Sequence, residues 1–280
     1  MIVWRDGHFV ESDGAIAASD RSYLIGDGLF ETILVDQGRP AFLSSHIARL
    51  KRGAEAFAME GDISESAIRA AIGELAERLG QKSRAACRLT LSRRGGARGL
   101  APSREARVQT TISLHAMAPA KPCRRVIVAQ PRRFSLAPTN DFKCVGAYAP
   151  NLLARLEAAK AGADEALLLN EHGRVVCASS ANVFLLSGRT LTTPPESEGA
   201  TPGVTRALLL EIAADAGLEP RLDVIEPAAL PSGVLILTNS LIGVAIACLA
   251  GHAAKEDPLV MRLASTYEAR ATAEFGEAAH

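Results

Sequence analysis

The chain has 280 residues, 48% of them hydrophobic, and its 31 basic side chains are balanced by 31 acidic ones. That length allows one large domain or two ordinary ones, and the apolar content excludes disorder as the default state. A formal net charge of zero excludes the basic footprint of a nucleic-acid binder. The start, Met1-Ile2-Val3-Trp4-Arg5-Asp6, lacks the basic and apolar regions of a signal peptide. Apolar runs such as Gly243 to Ala250 are too short to span a bilayer. Cys87, Cys123, Cys144, Cys177 and Cys248 are odd in number and scattered, without a C-x-x-C pair or a Cys/His cluster to hold a metal. The expectation is a reduced, cytoplasmic protein with no metal, no membrane and no nucleic-acid partner.

Residues 2–10 read as a short hairpin turning at Asp6-Gly7, and Leu29 to Val35 as a strand ended by the turn Asp36 to Pro40. Ser44 is placed as the cap of a helix to about Met59, with Ile47, Leu50 and Ala54 on one face. Asp62 and Glu65 resemble a capping box before a helix carrying Ile68, Ile72, Leu75 and Leu79, ended by Gly80. Arg84 to Ser92 and Arg107 to Leu114 read as strands joined by a Gly- and Arg-rich loop. The expected division is an N-terminal α+β domain over 1–115, a linker over 116–123 rich in Pro and Ala, and a C-terminal α/β domain over 124–280. In the latter, strands are expected at 124–129, 165–169, 175–177, 182–186, 234–238 and 244–249. Helices are expected at 149–161, from Gly203 to near Gly217, and over 256–275.

Two stretches carry chemistry. Of the six lysines, Lys143 alone is set among apolar and aromatic neighbours, Phe142, Cys144, Val145, Gly146 and Tyr148. Burial there would lower the amine's pKa and make it a nucleophile; a lysine whose stem merely covers apolar surface is the alternative. Ala200-Thr201-Pro202-Gly203-Val204-Thr205-Arg206 leads into an amphipathic helix, and a helix N-terminus with free N–H groups can hold a phosphate. Thr238-Asn239-Ser240 after a strand adds small donors, and Arg49 offers a cation. An amine nucleophile with a phosphate cradle points to pyridoxal 5'-phosphate, whose aldehyde condenses with lysine.

In order and spacing the chain resembles the fold-type IV pyridoxal-phosphate enzymes: branched-chain aminotransferases, D-amino-acid aminotransferases and aminodeoxychorismate lyases. The blocks that carry the resemblance are Asp20-Arg21, Gly26 to Ile33, Phe42-Leu43 with His46 and Arg49-Leu50, and Lys143 with Gly146 and Tyr148. They continue with Gly162 to Ala166, Ser180 to Phe184, Pro202 to Arg206, and Thr238 to Ser240. The resemblance implies an α/β (α+β) two-domain fold with the cofactor cleft between the domains, and a homodimer. It implies that Lys143 bonds the cofactor and shuttles the proton, and that Tyr148 reaches the cofactor's phenolic oxygen. Arg49, the N–H groups of Val204 and Thr205, and donors at Asn239 and Ser240 would meet the phosphate. His46 is read as structural. Arg98 is chosen for a substrate carboxylate, because a guanidinium forks onto a carboxylate, and Ile25 is assigned to the substrate pocket.

One departure from the family pattern concerns Cys177. The family places a glutamate there, facing the pyridine nitrogen, and the block Val175 to Ser180 holds no carboxylate. A neutral thiol would leave that nitrogen unprotonated. The activity expected is amino-group transfer between an amino acid and a 2-oxo acid. The alternatives are a lyase releasing pyruvate from aminodeoxychorismate to give 4-aminobenzoate, and a relative that binds cofactor or metabolite with weak or no turnover.

Overall fold

A computed structural model describes residues 1–13, 16–61, 63–95 and 99–276. The chain forms two compact units: Met1–Ala118 with Phe142–Ala147 and the chain from Ala271 onward, and Pro119–Asp141 with Tyr148–Arg270. The linker expected at 116–123 falls where the chain passes from the first to the second. The division differs from the expected one in its returns. The Lys143 segment packs with the first unit, and so does the end of the last helix.

The first unit is built on an antiparallel six-stranded sheet. In chain order its elements are β1 (Ile2–Arg5), β2 (His8–Glu11), α1 (Arg21–Ile25), β3 (Gly28–Asp36), β4 (Arg39–Pro40), α2 (Leu43–Ala56), α3 (Glu65–Arg78), β5 (Ala85–Arg94) and β6 (Arg107–Ala116). The sheet order is β2-β1-β6-β5-β3-β4. On β3 alternate residues share a face: Leu29, Ile33 and Val35 join Ile47 and Leu50 of α2 and Ile68, Ile72 and Leu75 of α3 in one buried cluster. The α2 and α3 spacings of three and four put these apolar residues on a single stripe.

Two helix starts differ from expectation. The α2 N-cap is Phe42, in the left-handed region at φ 52°. Its N–H is taken by Glu274 Oε2 at 2.9 Å, while Ser44 Oγ donates to Glu65 Oε1 at 2.8 Å. A distant carboxylate therefore meets the N–H of the cap residue itself, and no side chain caps the first turn. The α3 N-cap is Ser64, accepting from Ala67 N; Asp62 lies outside the described residues.

The second unit carries a mixed eight-stranded sheet. Its elements are β7 (Arg124–Arg132), α4 (Ala149–Lys160), β8 (Glu165–Leu169), β9 (Val175–Ala178), β10 (Asn182–Ser187), β11 (Thr190–Thr193), α5 (Val204–Ile212), β12 (Glu219–Leu222), β13 (Val234–Asn239), β14 (Gly243–Leu249) and α6 (Pro258–Gly276). The order is β12-β11-β10-β13-β14-β7-β8-β9. Every residue of β8 is buried. Leu167 and Leu169 enter one apolar cluster and Ala166 and Leu168 another, as a strand covered on both faces requires. Among the described residues no helix is long and apolar enough to cross a membrane.

Candidate active site

In the first unit, Glu31 stands on the core face of β3 between Leu29 and Ile33, 1% exposed. A carboxylate there needs partners, and α2 supplies two from one turn. Arg49 donates from Nε to Oε1 at 2.7 Å and from Nη2 to Oε2 at 2.6 Å, and His46 Nδ1 lies 2.7 Å from Oε2. Burial opposes the charge on Glu31, but the hydrogen bonds from Arg49 and His46 outweigh it and hold the carboxyl down at about 2. Burial also pushes His46 below its ordinary value. At neutral pH the neutral ring therefore donates to Glu31, and the full charge pairing belongs to Arg49.

Lys143 is half-buried, with Nζ 4.7 Å from the centre of the Phe30 ring; the Arg88 guanidinium sits 3.3 Å from the same centre. Its main chain is tied to β3: Phe30 N donates to Lys143 O at 2.9 Å, and Cys144 bridges Leu29. Gly146 N donates to Gly26 O at 3.2 Å. Gly26 has φ 72°, and a Cβ there would overlap the Gly146 backbone. The two glycines permit the approach that fixes the base of the lysine. Phe30 and Glu31 fall in the matched sequence blocks, yet nothing in the sequence marks a role for either, since both depend on pairing across elements.

Ile25 ends α1, 47% exposed. Asp20 caps that helix through Ser22 N at 2.8 Å. Buried Arg21 donates to Asp27 at 2.8 Å and to the carbonyls of Gly99 and Leu100 at 2.8 and 2.6 Å, holding the end of the Gly- and Arg-rich loop. Arg98 itself lies outside the described residues.

In the second unit the segment before α5 is clamped. Arg133 donates from Nε to Gly199 O at 2.7 Å and from Nη2 to Thr201 Oγ1 at 2.8 Å, and Asn182 Nδ2 donates to Thr201 O at 2.9 Å. The N-cap Gly203 makes no side-chain cap, and a Cβ on it would overlap Asn182 Oδ1. The first N–H groups of α5, at Val204 and Thr205, are thus left to another acceptor. Thr205 Oγ1 and Thr238 Oγ1 are buried with no hydrogen-bond partner. Such orphans are costly unless something meets them, and α5 packs against β13, which carries Thr238. Two orphaned hydroxyls and an uncapped helix start fit a phosphate group. Asn239 works within its own turn, accepting from Leu241 N and Ile242 N at 2.9 Å each and donating to Ser180 O at 2.9 Å. Ser240 is half-buried beside it, and Tyr148 is the N-cap of α4.

Cys177 is buried on β9. Burial pushes its thiol up, the Arg133 guanidinium beside it pulls back, and the Glu165 carboxylate adds to the rise. A carboxylate thus acts on this position from the neighbouring strand. Glu165 accepts from Ser180 Oγ at 2.5 Å, from Ala166 N at 3.0 Å and from Ser179 Oγ. The block Val175 to Ser180 gave no hint of it, although Glu165 lies in another matched block. Arg133 carried no signal of its own.

The sequence profile of the amino-transferase class IV family matches residues 28–248. This chain belongs to that family, whose members are pyridoxal-phosphate enzymes. A Methanocaldococcus jannaschii protein provisionally named a branched-chain-amino-acid aminotransferase is 29% identical over 222 residues, 78% of this chain and 77% of its own. Aminodeoxychorismate lyase of Bacillus subtilis is 27% identical over 248 residues, 86% of this chain and 84% of its own. A branched-chain aminotransferase of the archaeon Thermoproteus uzoniensis, solved with norvaline, is 25% identical with TM-score 0.88, covering 96% of this chain and 93% of its own. Its likeness supports the two-sheet fold-type IV architecture.

Proposed function

We propose that this protein transfers an amino group between an amino acid and a 2-oxo acid. The observation that carries the reading is Lys143, an amine whose main chain is bonded to β3 while its Nζ is held over the Phe30 ring. Pyridoxal phosphate, when bound, supplies the aldehyde and the ring over which the charge left by the substrate's α-proton spreads. Lys143 Nζ is the nucleophile toward that aldehyde and afterwards carries the proton. The N–H groups of Val204 and Thr205 and the Thr205 hydroxyl receive the phosphate, with Asn239 and Ser240 shaping the neighbouring turn. Arg49 is the phosphate's cation, kept rigid by Glu31. Tyr148 donates to the phenolic oxygen. Arg98 takes the substrate carboxylate and Ile25 its side chain. The exposed leucines Leu152, Leu153 and Leu156 of α4 support a homodimer, to be checked by sedimentation.

Cys177 favours a second reading. Without a carboxylate at that point, a lyase releasing pyruvate to give 4-aminobenzoate gains ground. The loaded protein should absorb at ~410–420 nm or ~330–360 nm, the bands of a lysine-bound cofactor. Borohydride should fix the cofactor to Lys143 and nowhere else in a peptide map. Trapping at another lysine in Lys143→Ala would sink the assignment. Measuring pyruvate release against 2-oxo-acid-dependent amine transfer separates the two activities.

A further inference from the structure

The second unit holds a pair of thiols that the proposed chemistry does not use. Cys123 and Cys248 are both free and half-buried, with their sulfurs 3.3 Å apart. Cys248, near the end of β14, is in register with Arg125 of the parallel neighbour β7. Cys123, two residues before Arg125, therefore falls on the same face. A disulfide needs the sulfurs to close by about 1.3 Å. Cys123 has the freedom to move, because it lies just before β7, outside the hydrogen-bonded ladder. Cys248 and its strand neighbours Ala247 and Leu249 line a cavity of ≈ 160 Å³ with Leu230 and Leu235. The other three cysteines, Cys87, Cys144 and Cys177, are buried singly.

We propose that Cys123 and Cys248 are a reversible thiol–disulfide site, closed by exchange with a low-molecular-weight disulfide such as oxidised glutathione. In the first step the Cys248 sulfur, as thiolate, attacks one sulfur of the reagent, and a glutathione thiolate leaves and takes up the proton. In the second, the Cys123 sulfur attacks Cys248, the mixed disulfide breaks, and the second glutathione leaves as its thiol. Two protein thiols are oxidised and one disulfide reagent is reduced to two thiols. Burial and the adjoining Cys248 sulfur push Cys123 up to about 11. Cys123 is therefore the second sulfur to react, and closure after Cys248 is capped is favoured because the attack is intramolecular. Once closed, the bond staples residue 123 to the end of β14.

The test is to treat the folded, cofactor-loaded protein with oxidised glutathione, count its thiols and map the peptides. Two of the five thiols should be lost, the mass should fall by two hydrogen atoms, and one linked peptide should join Cys123 to Cys248, released by reductant. In Cys123→Ser the same treatment should leave a glutathione on Cys248. A stable glutathione adduct on the unmodified protein, a linkage between other cysteines, or linkage only after unfolding would each overturn the proposal.

Discussion

Glu31 occupies a position that strand alternation reserves for an apolar side chain, flanked on its face by Leu29 and Ile33. Its charge is tolerable only because Arg49 and His46 arrive one turn apart on α2. Arg49→Ala strips the larger partner from a buried carboxylate and should cost about 3–5 kcal/mol in urea unfolding. Glu31→Leu with Arg49→Met, which removes both charges, should restore most of that loss. A single mutant as stable as the parent would show that the pair is idle. The same triad makes stability depend on acid. Glu31 falls from its ordinary 4.5 to about 2 on folding, so the unfolded chain binds the proton more readily. Its contribution of roughly 3 kcal/mol is complete above about pH 5 and is lost as pH falls toward 2. Glu31→Gln should flatten the stability profile across that window.

The start of α5 is the element whose design is easiest to test. The segment leading into it is fixed by Arg133 and Asn182, Gly203 leaves its first turn uncapped, and the orphaned hydroxyl of Thr205 lies on it with that of Thr238 on the adjoining β13. Thr205→Val removes a buried hydroxyl that has no partner. The cofactor-free protein should therefore be unchanged or more stable by up to about 1 kcal/mol, while cofactor affinity falls by roughly 1.5–3 kcal/mol, the scale of a hydrogen bond to a charged group. Equal affinity in the two proteins, read by absorbance titration, would place the phosphate elsewhere. This helix was legible in the sequence because Pro202 and Gly203 precede an amphipathic run. So was α3, from the Ile68, Ile72, Leu75 spacing. The clamp behind α5 was not, since Arg133 and Asn182 reach it through the fold. Nor were β11 and β12: Thr190–Thr193 and Glu219–Leu222 are four residues each, too short for alternation to stand out.

For the whole molecule, the membership of the two units follows contacts between segments far apart in the chain. The short return of Phe142–Ala147 to the first unit is held by the Phe30–Lys143 and Gly146–Gly26 hydrogen bonds, the Leu29–Cys144 bridge and the packing of Phe142, Cys144 and Ala147 on that unit's core, none of which carries local periodicity. The choice of reaction also belongs at this scale, because it rests on groups brought together by β8, β9 and the segment after β7. Cys177→Glu would put a carboxylate beside Arg133 and should speed amine transfer by about tenfold, the equivalent of ~1.4 kcal/mol. Cys177→Ser should change little. Stopped-flow absorbance on both half-reactions gives the answer: loss of turnover in Cys177→Ser with no gain in Cys177→Glu would mean that the thiol itself reacts.

The carboxylate of Glu274 on the Phe42 N–H has a consequence for how the protein is made. The helix that carries His46 and Arg49 takes its N-terminal acceptor from a residue more than two hundred positions later, and Arg84 packs over Phe275 from the same stretch. On the ribosome the first hundred residues emerge long before either partner exists. The first unit can gather its sheet and helices early, but it reaches its final hydrogen bonding only when the tail of α6 is released. Until then the Phe42 N–H lacks its carboxylate acceptor, while Glu31, His46 and Arg49 are already synthesised.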